Sequence, residues 1–368
     1  MKRINFLTSS LALGVYTPAL IIHNKLKKQG IDTSFFTFEE CFYEEKREKI
    51  QGNKKLYHEN PKAAILGQKL VSNVNNSLDY TIINHVFNSI INSEKDEYLF
   101  VFSGLWMPVI TEIFPKSFYE KIILIHIDST ISPSWKNCNL SMFKSVYFFD
   151  FLNKRINYYL DIGEDKATDF HSKNKKIIVH GGGWGMGNYQ DAVLPLIEKG
   201  WELDLICYFD SDIVNHPNIN NYLFDQNWKA WETDLSGSHS FPPICKIENE
   251  NRQGQLLQND DFHESYNLTK TSAGIISKPG GGTLLDSFSS ETPIIFMDSV
   301  GKHEDYNKEI WKHLNFGMDF STFTDKPDVY EVLMSMSDNI KESKSNARNI
   351  IPFIVDWINS KQEISYAT

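Results

Sequence analysis

Short apolar runs alternate with segments of helical periodicity along most of the chain. The segment at 39–96 is largely polar, and we expect it to be mostly helical, with a loose connection near 44–55. Runs rich in Ile, Val and Phe predict strands of the first half at 3–7, 32–38, 97–104, 121–128 and 145–151. Strands that alternate with helices are typical of a parallel sheet with helices on both faces, so the pattern predicts the α/β class.

The apolar pattern breaks between 155 and 174, where the chain becomes charged, and then it resumes. The second series of predicted strands lies at 176–182, 202–209, 273–277 and 292–298. Near the end, helical spacing recurs at Val329, Leu333, Met336 and Ile340, and an apolar helix follows at 349–358. We therefore predict two domains, at 1–160 and 173–340, and a C-terminal helical segment at 341–368 that packs back across the cleft between them.

The first helix carries its own start and stop signals. Thr17 is a good N-cap, Pro18 suits the first helical position, and Gly30 suits the exit. We therefore expect this helix to begin at Thr17 and Pro18 and to stop at Gly30.

Composition narrows the class of protein. The chain has 368 residues and a formal charge of −10, which disfavours binding of nucleic acid over a broad electrostatic surface. Its four cysteines form no CxxC pair, so we expect reduced thiols and no zinc site. Since no apolar run approaches the ~20 residues of a membrane-spanning helix, we expect a cytoplasmic protein without an integral membrane segment.

Three consecutive glycines, Gly280, Gly281 and Gly282, follow the predicted strand at 273–277 and precede a predicted helix. Glycine lets a ligand approach the backbone closely, and the free amides of a first helical turn favour an anion such as phosphate. The alternative is a tight turn in which Thr283 and Asp286 form a capping box.

The spacing of Gly280, Gly281, Gly282, Thr283, Asp286 and Pro293 resembles that of GT-B glycosyltransferases. The resemblance is to the branch of the peptidoglycan lipid-intermediate N-acetylglucosaminyltransferase, the galactolipid synthases and the UDP-glycosyltransferases. It implies two Rossmann-like domains that face each other across a cleft. It also implies that the glycine turn receives the diphosphate of a nucleotide-sugar donor and that Asp286, in place of the usual Glu, holds the ribose hydroxyls.

Two further segments resemble that family. The loop at 299–307 is similar to one that holds sugar hydroxyls, which makes Glu304 and Asp305 candidates, although a solvated acidic loop is the alternative. The loop after the strand at 176–182 is similar to one near the donor phosphates, and the residues that it implies are Gly183, Trp184, Gly185, Met186 and Asn188. Alternatively, Trp184 is a hydrophobic plug and Asn188 a helix cap. The nucleotide base is expected near Phe262 and His263.

The general base departs from the family pattern, in which a Gly-His-x-x-Pro loop supplies a histidine. Here Val15 stands in that place, between Gly14 and Tyr16, and it cannot take a proton. Asp128 is our first candidate for the base or for acceptor binding, because it lies in a loop similar to an Asp, Pro and Trp loop of the galactolipid synthases. His126 is the second candidate, although a histidine in an apolar strand is more often part of the core. An amine or acid acceptor would need little deprotonation.

The triplet of Asp210 and Asp212 has the D-x-D form that binds a metal in GT-A enzymes, but the two-domain pattern argues against that class. We therefore expect no metal and no cofactor. The resemblance implies a metal-independent glycosyltransferase that moves a sugar from a UDP-linked donor to a small-molecule or lipid-linked acceptor held by the N-terminal domain. The alternatives are a nucleotide-sugar hydrolase or epimerase of the same fold and a non-catalytic nucleotide-sugar binder.

Overall fold

A five-stranded parallel sheet forms the first half of the molecule. In this computed structural model, the described residues are 2–11, 13–60, 63, 78–248, 254–327 and 329–359. The strands are β1 (Lys2–Thr8), β2 (Asp32–Thr37), β3 (Asp96–Val101), β4 (Ile122–His126) and β5 (Lys144–Tyr147). Their order is β2, β1, β3, β4, β5, which is a doubly wound α/β order.

Short strands connect the two halves. They are β6 (Phe149–Asp150), β7 (Arg155–Ile156) and β8 (Tyr158–Tyr159). β6 pairs with β7, and β8 pairs with β17 (Arg348–Asn349) near the C-terminus. The single strand predicted at 145–151 is therefore interrupted, and its second part turns away from the first sheet.

An eight-stranded sheet forms the second half. Its members are β9 (Asn174–Val179), β10 (Glu202–Cys207), β11 (Ile219–Phe224), β12 (Ile244–Ile247), β13 (Gly254–Leu257), β14 (Ser272–Ser277), β15 (Ile294–Phe296) and β16 (Gly317–Asp319). The order is β13, β12, β11, β10, β9, β14, β15, β16, with an antiparallel hairpin of β12 and β13 at one edge. The other strands are parallel, in the Rossmann order, and the direction of winding changes between β9 and β14.

Helices connect and cover the strands. The helices of the described residues are α1 (Leu13–Lys28), α2 (Glu44–Glu59), α3 (Tyr80–Ile91), α4 (Met107–Ile113), α5 (Val193–Glu198), α6 (Ser265–Thr271), α7 (Gly281–Ser290), α8 (Lys302–His313), α9 (Phe320–Asp325), α10 (Val329–Lys344) and α11 (Ile350–Asn359). The predicted α/β class is confirmed. None of these helices combines the length and the apolar character that crossing a membrane requires.

Three local predictions were wrong. α1 begins at Leu13 and contains Pro18, so Thr17 is not its N-cap. The expected loose connection near 44–55 is instead the continuous helix α2, which carries ion pairs between side chains one turn apart, such as Lys49 with Glu45. α7 has Gly280 as its N-cap, so Thr283 lies inside the helix and the capping box does not form.

The C-terminal helix α11 packs on the first sheet. The ring of Trp357 lies 5.3 Å from that of Tyr98 and 5.9 Å from that of Phe100, between ring centroids. The rest of the segment predicted at 341–368 lies outside the described residues from 360 onward, as do 61–62 and 64–77 of the polar segment. The domain boundaries remain predictions.

Candidate functional site

The loops that follow β1, β4, β9 and β14 meet around a cavity of about 180 Å³ between the two sheets. In α/β sheets, ligands bind outside the carboxyl ends of the strands, where the direction of winding changes. β9 and β14 are neighbours at that position in the second sheet. The two glycine-rich loops that follow them therefore lie side by side.

The glycine turn ends at the N-terminus of α7, and Gly280, Gly281, Gly282 and Thr283 line the cavity. The first amides of an α-helix have no partner within the helix and carry a partial positive charge. No side-chain cap occupies this end of α7. These amides are therefore available to an anion in the cavity.

The same glycines allow the two halves to touch. A Cβ at Gly281 would lie 2.9 Å from Asp128 Oδ1, and a Cβ at Gly282 would lie 3.1 Å from Gly14 Cα. A side chain at either position would push α7 away from the first half. The absence of side chains thus brings the helix terminus up to the loops after β1 and β4.

Asp286 lines the cavity one turn into α7 and is already bonded to a histidine. His263 Nε2 lies 3.1 Å from Asp286 Oδ1, and His263 Nδ1 lies 2.7 Å from Ser265 Oγ. His263 thus fixes the orientation of this short carboxylate. The structure brings the expected position of the nucleotide base and the candidate ribose ligand together.

Lys278 and Glu304 form a buried ion pair beside the turn, through Lys278 Nζ and Glu304 Oε1. Burial by itself would raise the pKa of Glu304, but the charges of Lys278 and His303 and bonds from Lys278 and the Val300 amide lower it below its ordinary value. Asp305, one residue further along α8, is exposed and does not line the cavity.

Asp128 lies in the cavity wall directly opposite Gly281. Asn307 Nδ2 donates to Asp128 Oδ1 at 2.8 Å, and Asn307 Oδ1 accepts from the Ser129 amide at 2.8 Å. The loop after β4 is therefore held by a side chain of α8, from the other half of the molecule.

His126 is placed differently from Asp128. It is buried in β4, stacks on Tyr147 at 4.1 Å between ring centroids and lies 4.7 Å from Trp135. Burial lowers the pKa of His126 to about 3. It is not among the residues that line the cavity, so we carry Asp128 forward as the candidate base.

The loop after β9 supplies Gly183, Trp184 and Met186 to the cavity wall. Trp184 Nε1 donates to the Ser10 carbonyl at 3.2 Å, and Lys54 Nζ lies 3.8 Å from the centre of a Trp184 ring. The tryptophan therefore contacts both the loop after β1 and helix α2.

The other two candidates of this loop lie outside the cavity wall. Gly185, at φ +63°, presents its carbonyl to His58 Nδ1 at 2.8 Å. Asn188 Nδ2 donates to Asp298 Oδ2 at 3.0 Å. These residues shape the loop and fix its far end.

His180 is a cavity residue that sequence reasoning missed. Its Nδ1 accepts from the Gly182 amide at 3.1 Å, so in the neutral ring Nε2 carries the hydrogen. Burial lowers the pKa of His180 to about 4. Its position as the first residue after β9 was the available signal, and Lys278 holds the same position after β14.

Asp212, the second aspartate of the D-x-D triplet, is bonded to neighbouring groups of the protein. Asp212 Oδ2 accepts from the amides of Tyr208 and Phe209, while Asp212 Oδ1 contacts His58 Nε2 at 3.0 Å and accepts from Gln190 Nε2. In the described parts of the chain, no group of His, Cys, Asp and Glu is arranged to hold a metal ion.

No protein-family model matches the chain, and no curated protein matches it by sequence. Among solved structures, it is similar to the glycosyltransferase VinC in complex with dTDP, at 8% identity, 98% coverage of this chain and 99% of that one, with a TM-score of 0.54. It is also similar to the glycosyltransferase SnogD from Streptomyces nogalater, at 12% identity, 97% coverage of this chain and 99% of that one, with a TM-score of 0.52. The glycosyltransferase SsfS6 from Streptomyces sp. SF2575 is similar at 9% identity, with the same two coverages and a TM-score of 0.52. At these identities the similarity shows the fold, which is the predicted GT-B fold of two Rossmann-like domains across a cleft.

Proposed function

We propose that this protein is a glycosyltransferase that moves a sugar from a UDP-linked donor to an acceptor held by the first half of the chain, without a metal ion. The observation that carries the proposal is the uncapped N-terminus of α7, which meets Asp128 across the cavity at the point where the winding of the second sheet reverses. An anion-binding helix end and a carboxylate opposite it are the two groups that transfer needs.

The second half would bind the donor. The diphosphate would lie on the amides of Gly281 and Gly282, close to Lys278. Asp286, held by His263, would accept hydrogen bonds from the ribose hydroxyls. Preorganised amides and a cation stabilise the charge that builds on a leaving diphosphate, so they supply what a metal ion supplies in other enzymes.

The first half would bind and activate the acceptor. Asp128 would take the proton of the acceptor hydroxyl. At the same time the acceptor oxygen would bond to the anomeric carbon of the donor sugar, and the bond from that carbon to the diphosphate oxygen would break. Besides Asp128 and Thr17, the wall on this side is mostly apolar and includes Leu13, Val15, Ile21, Ile127 and Leu160. This lining favours an acceptor with an apolar body over water, and hence transfer over donor hydrolysis.

A calorimetric titration tests the donor site. The protein would be titrated without metal with UDP, dTDP, UDP-glucose, UDP-galactose and UDP-N-acetylglucosamine. We expect one sugar nucleotide to bind and Asp286→Ala to weaken it by roughly tenfold or more, the effect of losing a charge-assisted hydrogen bond. Asp338→Ala, an exposed change on α10, is the matched control.

Two results would change the proposal. Binding of dTDP but not UDP would keep transfer and replace the nucleotide. If the wild-type protein binds neither diphosphate nor any of the sugar nucleotides, the glycosyltransferase proposal is wrong.

A further inference from the structure

The ion pair of Lys278 and Glu304 lies where the two glycine loops meet. A Cβ at Gly182 would lie 3.6 Å from Lys278 Nζ, and a Cβ at Gly280 would lie 3.1 Å from Lys278 Nζ and 3.7 Å from Glu304 Oε1. Both side chains line the cavity. The ammonium group therefore stands in the space between the loops that a diphosphate would occupy.

In this structure the charged groups of Lys278 and Glu304 pair with each other. The side chains of Lys278 and Glu304 are 9% and 3% exposed, and the second carboxylate oxygen of Glu304 accepts from the Val300 amide at 2.7 Å. The positive charge of Lys278 is thus neutralised by a neighbouring carboxylate. A diphosphate that uses this charge must compete with Glu304 for it.

We propose that donor binding gives Lys278 a new ionic partner: its ammonium group moves from Glu304 to the diphosphate. The released Glu304 carboxylate then accepts hydrogen bonds from hydroxyl groups of the donor sugar. This inference rests on the proposed function and deepens it. The exchange makes recognition of the sugar conditional on the diphosphate, because Glu304 is engaged until the diphosphate has taken Lys278.

The exchange affects the relative affinities for the sugar nucleotide and the bare diphosphate. A buried carboxylate without its partner is costly, so a nucleoside diphosphate without sugar leaves Glu304 uncompensated. A sugar nucleotide supplies hydroxyls in place of the ammonium. The protein therefore prefers the sugar nucleotide to the bare diphosphate, and Glu304 is the origin of that preference.

Titration of two variants tests this. The ligands are UDP, the sugar nucleotide that binds the wild type, and uridine, which has no phosphate and so reports the base and ribose site alone. Lys278→Met should weaken UDP by roughly 10- to 100-fold, the range of one charge-assisted hydrogen bond, and leave uridine unchanged. Glu304→Gln keeps the shape and the bond to Val300, and should bind UDP more tightly, by roughly tenfold, while its preference for the sugar nucleotide falls towards one.

Matched variants separate charge from position. Glu309→Gln removes one exposed carboxylate from the same helix and should change neither affinity. Lys278→Arg keeps the charge and should retain UDP binding. If Glu304→Gln is unstable, the double variant Lys278→Met with Glu304→Gln has no buried charge and should bind UDP as Lys278→Met does.

Opposite results overturn the exchange. If Glu304→Gln weakens UDP or leaves it unchanged, and the preference for the sugar nucleotide stays, Glu304 is a fixed anchor. If Lys278→Met binds UDP as the wild type does, Lys278 is not a phosphate ligand. In both cases the wild type still binds its donor and the proposed function stands, whereas a wild type that binds no nucleotide contradicts both.

Discussion

Asn307 Nδ2 donates to Asp128 Oδ1 at 2.8 Å, which makes this contact one of the hydrogen bonds between the two halves of the molecule. The second amide hydrogen of Asn307 goes to the Pro279 carbonyl at 3.0 Å, in the turn that precedes α7. One side chain therefore orients the candidate base and fixes it to the glycine turn. This amide therefore fixes the spacing between Asp128 and the glycine turn.

Replacing Asn307 should damage catalysis more than donor binding. In Asn307→Ala, Asp128 loses its donor and its fixed orientation, so we expect turnover to fall roughly tenfold or more while the Kd for UDP stays near the wild-type value. Asn307→Asp should be worse, since it places a second carboxylate against Asp128. Steady-state kinetics and titration of the same preparations give both numbers, and an equal loss in turnover and UDP affinity would contradict this role.

The contact of His58 with Asp212 should stabilise the attachment of α2 to the second half. His58 Nδ1 lies 2.8 Å from the Gly185 carbonyl oxygen, and His58 Nε2 lies 3.0 Å from Asp212 Oδ1. The two side chains are 7% and 3% exposed. Because His58→Ala removes one hydrogen-bond partner of the buried Asp212 carboxylate, we expect it to lower the free energy of unfolding by about 1–3 kcal/mol in urea titrations.

A double-mutant cycle with Asp212→Asn checks that the pair is responsible. The combined loss should be smaller than the sum of the two single losses, because each single change already breaks the same contact. Lys49→Ala on the exposed face of α2 should have little effect. Additive losses would assign the effect to packing of the ring against Tyr208 and Phe209 instead.

His126 should make the protein sensitive to acid. Burial lowers the pKa of His126 from 6.5 to about 3, so between these values the unfolded chain binds a proton that the folded protein does not. The free energy of unfolding therefore falls as the pH falls through this window. His126→Phe keeps an aromatic ring beside Tyr147 and should flatten that fall, so its stability advantage over the wild type grows from pH 6.5 towards pH 3.

Urea unfolding at several pH values measures this difference, with the exposed His85→Phe on α3 as the control. Nδ1 of His126 has no hydrogen-bond partner among the described residues, and Nε2 makes one long contact, to Ser145 Oγ at 3.4 Å, so replacing the ring should cost about 1 kcal/mol or less near neutral pH. An unchanged pH dependence in His126→Phe would show that the acid sensitivity arises at other groups.

A methyl group at Gly281 should force the halves apart. It would lie 2.9 Å from both Asp128 Oδ1 and Ile127 Cγ2, so we expect Gly281→Ala to lower the free energy of unfolding by about 1–3 kcal/mol and to reduce turnover. Gly52→Ala is the matched control. It lies in α2 with nothing within 4 Å of the added atom, and it should raise stability by about 0.5–1 kcal/mol. Equal effects of the two changes would contradict the close contact at Gly281.

Local patterns predicted the elements whose formation depends on near neighbours. The spacing of Val329, Leu333, Met336 and Ile340 is the buried stripe of α10, since a helix repeats its face within this segment alone. The glycine turn and its helix were also recognisable from about twenty residues. The start of α1 was not, because Pro18 lies inside the helix although proline usually marks the first turn.

Partners distant in sequence decided the rest of the candidate site. Asn307 lies 179 positions from Asp128 and Glu304 lies 26 from Lys278, so no local window connects them. Alternation along a strand would put His126 and Asp128 on one face, but β4 ends at His126, so the rule does not extend to Asp128. His126 therefore stays in the core while Asp128 turns into the cavity.

The small volume of the cavity also bears on the rate of the proposed reaction. About 180 Å³ is less than the roughly 300–1,000 Å³ of pockets that hold drug-sized ligands, so we expect the halves to part before a sugar nucleotide enters. Each turnover then contains an opening before the donor enters and another before the spent nucleotide leaves. Motions of this kind take on the order of microseconds to milliseconds, so we expect the rate of parting, rather than bond making, to limit turnover in the proposed reaction.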